Sequence, residues 1–326
     1  MKLGSLMPVR SLWDEPLAAL ARRFPAHQFV LDPTQTLARI AEIDAILASL
    51  VDPELFKRAT SLKAVFVPFT GVNHLPADFL LQRGVRVYNV HGNAESVAQC
   101  ALAMALALYG RTIEYHNDLR SRRWHGFWVG GGAADEWTSI WRKRCLVVGT
   151  GAIGSTLARL LKAFECDVTG YRRRPSLEAP PNFDRIETDL GRAFEAAEII
   201  FVTLPLTPST RGLISRDTLL SARGKVLVNV GRGAVVDEEG LYLALRDGIL
   251  RGAAIDTWYQ YPQAGSKEGD PSHFPIHELP NVVISPHIAG STAEASLAGA
   301  QQTIVNMAQW LETGSCSHEA DLREMY

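Results

Sequence analysis

The stretch CLVVGTGAIGSTLARLLKAF, residues 145–164, decides the fold. Four apolar residues, Cys145 to Val148, read as a buried strand. Gly149-Thr150-Gly151-Ala152-Ile153-Gly154 then fits G-x-G-x-x-G, and Ser155 to Phe164 carries the apolar spacing of a helix. The pattern alone is weak, but between a strand and a helix it has a mechanism. The first glycine makes the tight turn and the second lets an anionic group approach the backbone. The third lets helix and strand pack, while the helix N-terminus faces the anion. This is the phosphate-cradling turn of a dinucleotide site.

Working outward, strands are expected at Asp167–Tyr171, Ile199–Thr203, Val226–Val230, Ala253–Asp256 and Val282–Ser285. Helices alternate with them at Leu190–Ala196, Arg216–Leu220, Glu238–Arg246 and Thr292–Glu312. With Cys145–Val148 this is a six-strand doubly wound α/β pattern. The first third alternates in the same way. Strands are expected at His27–Leu31, Ala45–Ala48, Ala64–Val67 and Val85–Asn89, with helices at Leu17–Phe24 and Pro76–Arg83. A single long helix is expected from about Ala94 to Arg122, its basic end suiting a helix C-terminus. Trp124–Trp141 reads as a connecting loop and Gln263–Ser272 as an exposed one.

The chain of 326 residues is too long for one ordinary core, so two domains are expected. Hydrophobic residues at 47% and charged residues at 21% fit a globular protein. A net charge of -2 gives no electrostatic footprint for nucleic acid. The N-terminus lacks an apolar signal-peptide core, and the run Val97–Tyr109 is too short for a membrane span. A cytoplasmic location without membrane partners is therefore the expectation. Cys100, Cys145, Cys166 and Cys316 form no C-x-x-C pair, so buried thiols are expected rather than disulfides or a metal site.

The second strand of a dinucleotide fold commonly ends in a carboxylate that binds the bare ribose. Here it ends Tyr171-Arg172-Arg173-Arg174. Arginines clasp a 2′-phosphate, so NADP(H) is favoured over NAD(H); the alternative is that these side chains face solvent. Three further motifs place polar residues at strand ends, where ligands bind in open α/β sheets. They are Asn229-Val230-Gly231-Arg232-Gly233, Ala253-Ala254-Ile255-Asp256 and Val283-Ile284-Ser285-Pro286-His287.

With these motifs in this order, the chain resembles the D-isomer-specific 2-hydroxyacid dehydrogenase family. Thr70-Gly71-Val72-Asn73, His91-Gly92-Asn93-Ala94-Glu95 and Thr203-Leu204-Pro205-Leu206-Thr207 belong to the likeness, which covers nearly the whole chain. The resemblance implies two doubly wound domains with a cleft between them. A flavodoxin-like substrate domain would comprise residues 1–95 plus 293–326, and a Rossmann cofactor domain residues 96–292. It implies that Arg232 holds the substrate carboxylate, helped by Thr70 and Gly71. It implies that His287 exchanges a proton with the substrate oxygen and Asp256 holds the nicotinamide carboxamide. Cofactor contacts are further implied at Gly149, Gly151, Ala152, Ile153 and Gly154, and at Thr203, Leu204, Pro205 and Thr210. Val230, Gly231, His287 and Gly290 complete that set. The expected activity is hydride transfer between NADP(H) and a small 2-oxo or 2-hydroxy acid such as glyoxylate or hydroxypyruvate, by a homodimer.

One position departs from the family pattern. Family members carry a glutamate before a proline to pair with the histidine, whereas this chain has Tyr261-Pro262. A neutral phenol can orient His287 but cannot stabilise its cation as a carboxylate does. Three readings stay open. Tyr261 replaces the glutamate and lowers the histidine pKa; or Glu268, Asp270 or Glu278 supplies the carboxylate; or no proton transfer is needed. The last is the case in formate dehydrogenases of the family, which have glutamine there; Gln260 lies one place off. Gln99-Cys100, where Glu-His is common, is a smaller departure. An alternative of another class is a dinucleotide-sensing, corepressor-like protein of the same fold.

Overall fold

The computed structural model describes residues 1–7, 11–49, 51–174, 179–263 and 265–323. The chain divides into two compact units, Met1–Asn93 with Ser291–Tyr326, and Ala94–Gly290. Pro8 to Arg10 of the N-terminal segment and Ala264 of the 263–272 loop lie outside the described residues.

In the first unit β1 (Lys2–Ser5), α1 (Ser11–Arg23), β2 (Gln28–Val30), α2 (Pro33–Ala38) and β3 (Ala45–Leu47) follow one another. Then come α3 (Pro53–Arg58), β4 (Ala64–Phe66), α4 (Ala77–Gln82) and β5 (Arg86–Tyr88). All strands are parallel, in the order β2-β1-β3-β4-β5. The six-residue helices α2 and α3 start on Asp32 and Asp52, whose carboxylates accept backbone N–H groups, each with proline in the first turn. Alternate residues of the strands feed two cores. Ile46, Val65 and Val87 pack with Phe56 and Leu80, whereas Leu47, Phe66 and Tyr88 pack with Trp13, Leu17 and Trp310.

The second unit holds α5 (Ala94–Tyr109), α6 (Thr112–Arg120), β6 (Arg144–Val148), α7 (Ala152–Lys162), β7 (Asp167–Tyr171) and β8 (Arg185–Glu187). It continues through α8 (Leu190–Ala196), β9 (Ile199–Val202), α9 (Arg216–Leu220) and β10 (Val226–Asn229). It ends with α10 (Glu238–Arg246), β11 (Gly252–Ile255) and β12 (Val282–Ile284); α11 (Ala293–Thr313) returns to the first unit. The parallel strand order is β12-β11-β10-β9-β6-β7-β8. Val147, Phe201 and Val228 face α5 and α7, and Leu146, Ile200 and Leu227 face the opposite core. Burial on both faces is why these strands read as unbroken apolar runs rather than alternating ones.

Three expectations need correction. Among the described residues the sheet has seven strands, not six: β8 is an edge strand of three residues, Arg-Ile-Glu, with no hydrophobic period to read. The single helix from Ala94 to Arg122 is two helices bent by 60°. Arg111 breaks it, with a left-handed φ of 49° immediately after Gly110. The loop 263–272 is exposed from 265 to 270, but Ser272 at its end is buried and donates to Glu238. Among the described residues no single helix is long and apolar enough to cross a membrane.

Candidate active site

β6 delivers the chain to Gly149, whose φ of 112° favours glycine strongly. Gly151 then caps α7. A Cβ built on Gly154 would lie 2.0 Å from the Gly149 carbonyl, so only glycine lets the helix approach the turn. A Cβ on Gly151 would meet nothing within 4 Å. Gly151 and Ala152 are exposed, Ile153 is half-buried and Gly154 is buried. The turn thus presents an open backbone face at a helix N-terminus, a cradle that a side chain at Gly151 would fill. That fits a pyrophosphate.

Neighbouring strand ends brace this turn. Thr203, just beyond β9, donates its hydroxyl to the Gly149 carbonyl at 3.0 Å. Leu204 packs beside Gly149, and Gly231 sits so close to Leu204 that a Cβ would lie 2.6 Å from its carbonyl oxygen. In the loop after β9 the Thr210 hydroxyl donates to Pro205 O at 2.7 Å and accepts from Thr207 N at 2.8 Å. Thr210 therefore shapes the loop from within. Beyond β7, Arg172 is half-buried, and Arg173 and Arg174 are exposed. Arg173 donates to Ser209 Oγ at 2.9 Å, so it is held towards the loop after β9, across the β6 turn that lies between β7 and β9.

The strands β10, β11 and β12 bring the polar motif residues together. Val230 is buried, and Asn229 behind it is 1% exposed. Its side chain accepts from Gly231 N at 3.1 Å and donates to Arg232 O at 3.1 Å, fixing the turn that carries Arg232. Gly233 lets this turn lie against Trp258, whose carbonyl oxygen a Cβ would meet at 2.4 Å. Arg232 is partly buried and its Nη1 donates to Gly231 O at 2.8 Å. Burial lowers its pKa, yet a guanidinium remains a cation.

Asp256 is 1% exposed and lies directly after β11. Its carboxylate accepts from Ile288 N at 3.0 Å, Ala289 N at 3.2 Å and the Ser285 hydroxyl. These bonds fasten the turn on which His287 sits with a left-handed φ of 57°. Gly290 follows that turn. The Tyr261 hydroxyl lies 2.9 Å from His287 Nδ1 and accepts the Trp258 N–H at 3.1 Å. Among the described residues none of Glu268, Asp270 or Glu278 bonds to this ring; Tyr261 occupies Nδ1. Desolvation lowers the His287 pKa, the Arg232 cation lowers it further, and Asp256 opposes both. Burial raises the Tyr261 pKa, so the phenol stays protonated at neutral pH.

In the first unit, the Thr70 hydroxyl donates to Asn93 Oδ1 at 2.9 Å, and Thr70 O accepts from Asn89 Nδ2 at 2.7 Å. Among the described residues neither the Thr70 nor the Gly71 N–H donates to a protein acceptor. Among the same residues no three His, Cys, Asp or Glu side chains are grouped to hold a metal. Sequence reasoning missed Asn229, Ser285 and the backbone of Trp258 as supports. Asn229 and Ser285 lie inside the quoted motifs, but their targets are backbone groups that no spacing shows.

Residues 102–289 match the model of the D-isomer specific 2-hydroxyacid dehydrogenase, NAD binding domain. Glyoxylate/hydroxypyruvate reductase B of Pectobacterium carotovorum subsp. carotovorum is 30% identical over 89% of this chain and 89% of its own. D-3-phosphoglycerate dehydrogenase of Mycobacterium leprae is 35% identical over 81% of this chain, which spans only 48% of that longer relative. A solved 2-hydroxyacid dehydrogenase from Ketogulonicigenium vulgare Y25 superposes with a TM-score of 0.76 at 27% identity, covering 99% of this chain and 98% of its own. The sequence order, the phosphate turn, the strand-end residues and these likenesses agree: the chain belongs to the D-isomer specific 2-hydroxyacid dehydrogenase family.

Proposed function

We propose that the chain is an NADP(H)-linked reductase that converts a small 2-oxo acid of the glyoxylate or hydroxypyruvate kind into the D-2-hydroxy acid, working as a homodimer. One observation carries this reading. A cation, Arg232, and a titratable ring, His287, are held by buried Asn229 and Asp256 at neighbouring strand ends of the sheet that bears the open Gly151 turn. Reduction leaves negative charge on oxygen, and these are the groups that chemistry requires.

A nicotinamide bound at this site supplies the hydride. Arg232 offers a planar fork to the substrate carboxylate. His287 supplies the proton to the oxygen, its partner being Tyr261. Asp256 retains acceptor capacity for a carboxamide beside the bonds it makes to the 285–289 turn, since a carboxylate has about four acceptor sites. Arg172, Arg173 and Arg174 stand where a carboxylate would recognise a bare ribose, which supports the 2′-phosphorylated nucleotide. The Pectobacterium relative, matched over most of both chains, supports the substrate class.

Steady-state turnover of glyoxylate, hydroxypyruvate and 3-phosphohydroxypyruvate with NADPH and with NADH tests the reading, with His287→Ala as control. Turnover of either unphosphorylated acid with NADPH is expected. Preference for the phosphorylated acid would move the substrate to that of the mycobacterial relative. Tight nucleotide binding without turnover would favour the sensing alternative.

A further inference from the structure

The hydrogen-bond pattern around Tyr261 determines where the neutral His287 ring carries its proton. The Trp258 N–H donates to the phenol oxygen at 3.1 Å, and a backbone N–H can only donate. The phenol's single hydrogen therefore points away from Trp258. His287 Nδ1 lies 2.9 Å from the same oxygen. If Nδ1 were protonated, the phenol would accept two bonds, and its own hydrogen would have no protein acceptor among the described residues. If Nδ1 is bare, the phenol accepts from Trp258 and donates to His287, so both of its bonds are made within the protein and the ring's Nε2–H is turned outward. The second arrangement wins because the phenol O–H is a far stronger acid than a neutral imidazole N–H and the bare imidazole nitrogen a stronger base than a phenol oxygen, so the short contact is best made with the phenol donating.

We propose that Tyr261 is a positioning residue that locks neutral His287 in the Nε2–H tautomer. A carboxylate at this position could only accept, and would hold the proton on Nδ1 instead. Exchange of glutamate for tyrosine thus reverses which ring nitrogen is bare. The consequence for ligand binding rests on the reading of His287 as the group that faces the substrate oxygen. With Nε2–H fixed, the neutral ring still donates a hydrogen bond to an oxo group. With a carboxylate partner, the neutral ring would turn a lone pair towards that oxygen and repel it. The tyrosine site therefore accepts an oxo acid in both protonation states of His287. Full proton transfer to the product oxygen still needs the imidazolium, so binding and chemistry separate in their pH dependence.

The test reads the tautomer directly. Long-range 1H–15N correlation spectra of the 15N-labelled protein, without nucleotide and above the pH at which the ring titrates, show which nitrogen is protonated. The His287 signals are assigned by their loss in His287→Gln. The expected pattern has Nε2 protonated and Nδ1 bare, inverted in Tyr261→Glu. Tyr261→Phe, which keeps the ring's bulk, should show both tautomers. A wild-type ring protonated on Nδ1, or no change in either variant, overturns the proposal. Calorimetry with oxamate and saturating NADPH adds a second readout. Affinity should change less than about threefold across the ring's titration in the wild type, and fall about tenfold in Tyr261→Glu. Equal pH dependence in both proteins overturns the ligand-binding consequence. Absence of oxamate binding at every pH overturns the proposed substrate class, while the spectra still decide the tautomer.

Discussion

Asp256 Oδ1 accepts the backbone N–H of Ile288 at 3.0 Å, which ties the end of β11 to the residue after His287. A second bond, from Ala289 N at 3.2 Å, and the Ser285 hydroxyl complete the set. Left-handed backbone at a non-glycine residue costs about 1–3 kcal/mol and persists only where its surroundings impose it. Asp256 is that constraint for His287, whose φ is 57°.

Asp256→Ala should accordingly lower stability by about 2–4 kcal/mol, since two backbone donors and a hydroxyl lose their acceptor. Asp256→Asn keeps one acceptor oxygen and should lose about half as much. Urea unfolding measures both. Turnover should fall in both variants, and unchanged stability in Asp256→Ala would remove the bracing role.

Gly151 and Gly154 should separate binding from folding. Gly151→Ala places its Cβ in open space on the cradle, so the melting temperature should hold while nucleotide affinity falls about tenfold or more. Gly154→Ala drives its Cβ against the Gly149 carbonyl, so the protein itself should be destabilised by about 1–3 kcal/mol. Thermal unfolding beside a nucleotide titration distinguishes the two outcomes.

The legible parts of the fold were those with long apolar runs. β6, β9, β10 and β11 are buried on both faces, and their runs state this directly; β7, Asp-Val-Thr-Gly-Tyr, is placed by its distance from the glycine turn. β8 has three residues, two of them charged, and a strand defined only by pairing with β7 leaves no periodic signal. The helix break at Gly110 was equally hidden, because apolar residues continue up to it and the left-handed residue that breaks the helix is an arginine. In the site, Arg232, Asp256 and His287 were readable from their place after strands. What Asp256 does to the backbone of 288 and 289 was not, since a backbone donor has no sequence identity.

Arg173, just beyond β7, donates to Ser209 in the loop after β9 and is one of the three arginines proposed to meet a 2′-phosphate. Arg173→Ala should raise the Michaelis constant for NADPH about tenfold, the worth of one charge-assisted bond, and leave that for NADH nearly unchanged. Equal effects on both nucleotides would mean that Arg173 merely braces the loop.

On the proposed mechanism, His287 sets the pH limit of reduction. Its pKa lies below the ordinary histidine range, through desolvation first and the Arg232 cation second. Reduction needs the protonated ring, so kcat/KM for the oxo acid should be full at low pH and fall as pH rises through that lowered value. Tyr261→Glu supplies a carboxylate and should move the fall to higher pH. A profile with the same midpoint in both proteins would assign the limb to another group.

His125 provides a pH test away from the strand ends. Its Nδ1 lies 3.0 Å from Asp135 and its Nε2 2.8 Å from Asp118, so the doubly protonated ring bridges two carboxylates and fastens α6 to the 124–141 segment. The bonds to Asp135 and then Asp118 raise the His125 pKa. The contribution of a raised histidine is fully present below its unfolded pKa and lost as pH rises through the folded one. The Asp135 pKa is lowered, chiefly by His125, so its share is present above its unfolded value and lost as pH falls through the folded one. The segment should therefore be most ordered in the window between these two titrations. It carries the exposed Trp124, Trp128 and Trp137, whose fluorescence should change as pH rises above the ordinary histidine range. His125→Ala should show the high-pH signal at every pH. A fluorescence change of the same size and midpoint in that variant would place the transition elsewhere in the chain.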